Sequence, residues 1–242
     1  MDVSIVITAY NYADYLEQCV TSCLLQNNSL LEYEVLIVDD GSTDQTPEVL
    51  KKFSDSRLRI FRIDNGGIEK ASNFGFEKSR GKYIVRVDAD DIIFSNYLCE
   101  MQRHIHDEFG FFYSDYFVIN SSSAVAEEVS LPEFNIEEIL QRGDFLATGT
   151  LYSRKLISDF GGYSTSIKNS GLENYELIIR LIKSGVKGKH IPCCLFGYRR
   201  HASNISIAKK TQIISNGVTL FTSMGLGSFK TNQYHPFKLK VE

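Results

Sequence analysis

The chain has 242 residues, 43% of them apolar and 23% charged, with a formal net charge of −4. That balance fits a globular α/β protein and argues against a general nucleic-acid binder, which needs a basic face to release phosphate counterions. No apolar run approaches the ~20 residues that cross a bilayer, and Met1 leads straight into a strand pattern without a leader-like segment, so one large cytosolic domain is expected.

Four near-continuous apolar runs, at 3–8, 34–38, 58–63 and 82–87, predict strands buried on both faces. Amphipathic segments at 13–26, 46–53 and 68–78 predict helices between them, with Thr46 as a cap and Pro47 in the first turn. This alternation predicts an α/β fold with a mostly parallel central sheet covered by helices. Cys19 and Cys23 fall one turn apart with Leu16 and Val20 and are expected to be buried. With Cys99, Cys193 and Cys194 they make an odd set without metal-site spacing, so all five are expected to be free thiols.

A helix is expected at 96–107 and a strand at 111–118. Residues 119–134 lose periodicity and gain Ser, Glu and Pro, which predicts a mobile loop beside a cleft. A helix follows at 175–184, with Asn174 as its cap in the simplest reading. Beyond Gly225 the pattern weakens into a tail. Phe221, Phe229, Tyr234 and Phe237, with Lys230, Lys238 and Lys240, read either as domain packing or as an amphipathic stretch for peripheral membrane contact.

In open α/β sheets ligands bind beyond the carboxyl ends of the strands. Three such ends here are polar: Thr8-Ala9-Tyr10-Asn11, Asp39-Asp40-Gly41-Ser42-Thr43-Asp44 and Asp88-Ala89-Asp90-Asp91. The last brings an apolar strand to a stop in three carboxylates. Hard divalent ions take one or two such groups and complete their shell with phosphates and water. The competing reading is a solvated turn that caps the next helix.

In that order, and together with Asn65-Gly66-Gly67, Ala71-Ser72-Asn73-Phe74-Gly75, Gly161-Gly162-Tyr163, Glu173-Asn174-Tyr175-Glu176-Leu177 and Tyr198-Arg199-Arg200-His201, these segments resemble the family-two inverting glycosyltransferases. The resemblance covers about residues 1–205. It implies the A-type glycosyltransferase fold, a Rossmann-like α/β/α sandwich that binds a nucleotide-diphosphate sugar, UDP being the expected carrier, with Mn²⁺ or Mg²⁺. It also implies a saccharide, glycolipid or lipid-linked acceptor in surface polysaccharide or glycan synthesis, at the inner face of the cell membrane. Under it, residues 1–107 form the nucleotide-sugar half, 108–224 the acceptor half and 225–242 the tail. Thr8, Ala9, Tyr10, Asn11 and Asp40 would hold the nucleoside, with Asp39 structural. Asp90 would be the main metal ligand, and Asp88, with Ala89 beside it, would serve the ion and the donor. Arg199, Arg200 or His201 would add a positive contact, but adjacent strand residues face opposite ways, so at most one of the two arginines faces the site.

Two positions depart from the family pattern. Relatives commonly carry Glu-Asp before the late helix, with the Asp as general base, whereas this chain has Glu173-Asn174, and an amide cannot take that proton. Glu173 is the preferred replacement; Glu176 one turn on, or a non-catalytic protein that binds nucleotide sugar or a partner enzyme, are the alternatives. Relatives also often carry Arg where Ser72 stands, and Lys70 is the candidate substitute for its charge. A dehydrogenase is excluded, since Ala9-Tyr10-Asn11 stands where a dinucleotide site needs its glycine turn.

Overall fold

The computed structural model describes residues 1–143, 146, 148–202 and 204–235. The first half follows the expected alternation: β1 (Val3–Ala9), α1 (Ala13–Leu24), β2 (Tyr33–Asp39), α2 (Thr46–Leu50), β3 (Leu58–Arg62), α3 (Ile68–Lys78) and β4 (Tyr83–Asp88). β1 pairs in parallel with β2 and β4, and β2 with β3. These strands read as continuous apolar runs because both sheet faces are covered. Ile5 and Ile7 enter a core packed by α1, and Val6 between them enters a second core on the opposite face.

The rest of the chain supplies β5 (Ile92–Ile93), α4 (Tyr97–His104), β6 (Phe111–Ile119), β7 (Val125–Val129), α5 (Ile136–Arg142), β8 (Leu151–Ser153), α6 (Arg154–Phe160), α7 (Glu173–Lys183), β9 (Gly188–Arg199), α8 (Ile205–Ala208) and α9 (Lys210–Ser223). Its strands extend the same sheet, in the order β3-β2-β1-β4-β8-β6-β9-β5 with β7 on β6. β8 is antiparallel to both neighbours, while β6 and β9 run parallel. The expected α/β layering is present, with antiparallel pairings added beyond β4.

Three local expectations need correction. The stretch 119–134 is not one loop, because 125–129 form β7 against β6. Its side chains are almost all exposed, so backbone pairing at an edge leaves no hydrophobic period to read. Gln45, and not Thr46, occupies the cap of α2, and the Thr46 hydroxyl accepts from Tyr12 N at 3.3 Å. α7 begins at Glu173, so Asn174 lies inside its first turn and does not cap it.

Phe221 and Phe229 are buried and meet edge to face at 5.0 Å, so packing takes them out of any membrane-facing stripe. Tyr234 is exposed, and Phe237, Lys238 and Lys240 lie outside the described residues. No helix among the described residues is long and apolar enough to cross a membrane.

α3 rests against β1 because Gly75 lets it approach: a Cβ there would lie 2.4 Å from Val6 Cγ1. Val6 is fully buried and β-branched, so it has little room to turn away. Gly75→Ala is expected to destabilise the fold by about 1–3 kcal/mol through overpacking, despite alanine's better helix propensity. Chemical denaturation checks this, and adding Val6→Ala to the same chain should recover part of the loss.

Candidate functional site

A cavity of about 760 Å³ opens at the carboxyl ends of β1, β2 and β4. The loops that form it are tied to one another. Asn11 adopts a left-handed conformation, φ 60°, that lets its Oδ1 accept from Thr43 N at 2.8 Å, and its own N–H donates to Ser42 Oγ at 3.0 Å. Asp39 accepts from Ser42 N at 2.8 Å and pairs with Arg62 at 2.6 Å, which makes it a structural acid. Asp40 accepts from Gly66 N at 2.7 Å and Gly67 N at 2.9 Å, so it fixes the turn before α3 while lining the cavity. Burial raises the Asp40 carboxyl above its ordinary range, against the pull of those two N–H groups. Gly41 is required here, since its φ is +75° and a Cβ would lie 2.9 Å from Asn65 N.

Acidic groups gather where β4 ends. Side chains alternate along the strand, so Arg86 and Asp88 emerge on the face that carries α7. Arg86 is buried, donates to Glu173 Oε1 at 2.8 Å and Asp88 Oδ2 at 3.2 Å, and lies 5.4 Å from the Tyr163 ring centre. Thr148 Oγ1 also donates to Asp88 Oδ2, at 3.0 Å. Asp90 Oδ2 contacts His201 Nε2 at 2.9 Å and accepts from Asn204 Nδ2 at 3.1 Å. Burial pushes the Asp90 carboxyl up, opposed by the His201 contact, and raises Asp91 with help from the charges of Asp90 and Asp88. Burial also raises Glu173, against the downward pull of Arg86.

Of the residues singled out in the sequence, Thr8, Ala9, Tyr10, Asp40, Asp88, Ala89, Asp90, Glu173 and Arg200 line the cavity. Asn11 stands behind it as the tie between two loops. Lys70 is exposed and outside the lining, with its side chain beside Gly66 and about 200° around the helix from Ser72. Arg199 is also outside the lining and fully buried. Its guanidinium donates to Asp90 O at 2.6 Å, Asn120 O at 2.9 Å and Gln18 Oε1 at 2.7 Å, so it braces the acidic turn from behind. Asn174 is buried, and its Oδ1 accepts from Tyr152 OH at 2.7 Å and Tyr163 OH at 3.1 Å. Both carboxylate oxygens of Glu176 are bound by Arg180, at 2.6 and 2.9 Å, and it lines no part of the cavity.

Arg86, Thr148 and Asn204 received no role from the sequence. Arg86 carried a usable signal, a charge inside the apolar strand Tyr83-Ile84-Val85-Arg86-Val87. Thr148 and Asn204 lie in loops without a pattern and are brought in by chain reversals.

Among the described residues no group of three or more His, Cys, Asp or Glu is arranged as a metal site. The acids present nonetheless suit a hard divalent ion. Asp88 and Asp90 both line the cavity, and Asp88 Oδ1 is buried without a hydrogen-bond partner among the described residues. Ions of this class need only one or two carboxylates when phosphates supply the rest.

A family model described as glycosyl transferase family 2 matches residues 4–202. The chain belongs to that family. It is 32% identical over 213 residues to a hyaluronan synthase of Pasteurella multocida, of which it spans 21% while 86% of its own length is used. It is 28% identical over 221 residues to the Escherichia coli UDP-Glc:alpha-D-GlcNAc-diphosphoundecaprenol beta-1,3-glucosyltransferase WfaP, covering 88% of this chain and 82% of that one. S. aureus TarS bound to UDP-GlcNAc superposes with a TM-score of 0.73 at 17% identity, over 94% of this family 2 chain and 67% of that structure. A Pyrobaculum calidifontis mannosyltransferase in complex with GDP-Man and Mn²⁺ gives 0.69 at 17% identity, over 98% and 67%. At such identity the likeness concerns the fold, which is the A-type glycosyltransferase architecture.

The contrast between the two adjacent arginines is testable. Arg199→Leu strands several buried carbonyl and amide acceptors and is expected to cost about 3 kcal/mol or more. Arg200→Leu, at an exposed position, is expected to change stability by no more than about 0.5 kcal/mol. Urea denaturation of the two variants measures the difference.

Proposed function

We propose that this family 2 chain is an inverting glycosyltransferase that moves a sugar from a nucleotide diphosphate to an acceptor hydroxyl. The observation that carries the reading is the meeting of Glu173, Asp88 and Asp90 on one cavity whose other wall is formed by the loops after β1 and β2. UDP is the proposed carrier, and the UDP-dependent WfaP and the UDP-GlcNAc complex of TarS support it.

Thr8, Ala9, Tyr10 and Asp40 bind the nucleoside, and Arg200 offers its charge to the phosphates. Asp90, with Asp88, would hold Mn²⁺ or Mg²⁺, which would supply Lewis-acid stabilisation of negative charge on a diphosphate leaving group. Glu173 takes the proton of the acceptor hydroxyl as that oxygen attacks the anomeric carbon from the face opposite the diphosphate. Asn174 has no part in proton transfer: it has no basic site, and its carbonyl oxygen is occupied by two tyrosine hydroxyls. The acceptor class is a saccharide or lipid-linked sugar, the latter supported by the printed acceptor of WfaP. A lipid-linked acceptor would bring the protein to the inner face of the membrane.

Two measurements test this. In calorimetric titration, UDP is expected to bind with Mn²⁺ and to lose that binding on chelation or in Asp90→Ala; equal binding with and without the ion would remove the Asp90 assignment. Glu173→Gln is expected to keep UDP binding and lower kcat by at least about 100-fold, the scale of a lost general base.

The pH profile carries a sign of its own. Glu173 must be deprotonated to act, and its carboxyl is raised by burial. Activity should therefore fall on acidification at a pH above the ordinary Glu value of about 4.3. A kcat profile flat down to that value would show that another group sets the limb.

A further inference from the structure

We infer that Arg86 is a positioning residue for the transfer reaction: its guanidinium sets the distance and orientation of Glu173 relative to Asp88. The inference rests on the reading of Glu173 as the base.

Glu173 sits at the start of α7 and Asp88 at the end of β4, two elements that share no hydrogen-bonded ladder. Arg86 spans them. One terminal nitrogen donates to Glu173 Oε1 at 2.8 Å and the other to Asp88 Oδ2 at 3.2 Å. Each carboxylate thus commits one oxygen to the guanidinium. Glu173 Oε2 and Asp88 Oδ1 are left buried and without hydrogen-bond partners among the described residues. Buried carboxylate oxygens in that state are costly, so their persistence at a cavity wall points to groups that await substrate.

An aromatic ring lies beside the guanidinium. The guanidinium is 5.4 Å from the Tyr163 ring centre, and Tyr163 OH donates to Asn174, which also holds Tyr152. Asn174 thereby supports the ring that backs Arg86 and acts on the site only through it. A planar fork with separated donors holds two carboxylates at one spacing, which a flexible ammonium point charge does not. The acceptor hydroxyl is read by Glu173 and the donor by Asp88, so this spacing registers one reactant on the other. Misplacement of about 1 Å costs on the order of 100-fold in such reactions.

The test is a double-mutant cycle with Arg86→Lys and Glu173→Gln, read as kcat and as the Kd of UDP with Mn²⁺. Arg86→Lys is expected to lower kcat by about 10- to 100-fold with Kd changed by less than about 3-fold. In the Glu173→Gln background the same change should lower the residual kcat by a clearly smaller factor than in the parent, because one of the two groups it positions is already gone. Unchanged kcat in Arg86→Lys, or an equal loss in both backgrounds, overturns the inference. Retained turnover in Glu173→Gln alone instead overturns the assignment of the base, and the inference with it. Melting curves accompany each variant, and all assays are run well below its transition. Where Arg86→Lys does not fold, Arg86→Gln/Glu173→Gln removes both charges together and is compared with Glu173→Gln. Arg86→Gln alone is measured beside it: a loss of about 10-fold or more in that variant that shrinks in the double variant supports the inference, and no loss, or an equal loss in both backgrounds, overturns it.

Discussion

Asp90 and Glu173 are buried on one cavity that Asp88 also lines, Asp91 is buried next to Asp90, and acids brought so close out of water must be offset from within the protein. Each has a dedicated partner. Arg86 holds Glu173 and Asp88, His201 and Asn204 hold Asp90, and the backbone N–H of Arg199 donates to Asp91 Oδ1 at 2.7 Å. Burial works against the Arg86 charge, but the carboxylates of Asp88 and Glu173 more than offset it and keep the guanidinium firmly protonated. The partners come from β4, β9 and the segment after β9, which is why the second half of the chain must fold back along the same sheet for the site to exist.

A second constraint is the convergence of strand ends. Parallel strands deliver their carboxyl ends to one edge, and there the loops after β1 and β2 are bonded to each other. Asp39 and Asp40 are neighbours in sequence with different tasks. The first closes its own turn with Ser42 and Arg62, while the second reaches across to Gly66 and Gly67 and keeps a place on the cavity.

Much of the first half was legible because its chemistry repeats at a strand's or helix's period. Residues 3–8 and 82–87 had to be strands covered on both faces, and Cys19 and Cys23 had to face a core. The acidic stop at Asp88-Ala89-Asp90-Asp91 named its own location at a strand end. β7 was hidden since an exposed edge strand carries no period, and the capping reading of Asn174 failed because α7 starts two residues earlier than its polar signal suggested.

The sequence by itself determined the layered α/β plan and the edge at which acids and nucleotide-type loops would meet, since periodic burial and strand polarity are local properties written into each segment. Tertiary structure alone decided which neighbour of each pair serves the cavity. Glu173 lines it and Asn174 does not; Arg200 lines it while Arg199 braces the turn behind; Glu176 is spent on Arg180. These choices depend on where a helix begins and on which distant group satisfies a buried charge, and both are settled by packing between elements far apart in the chain.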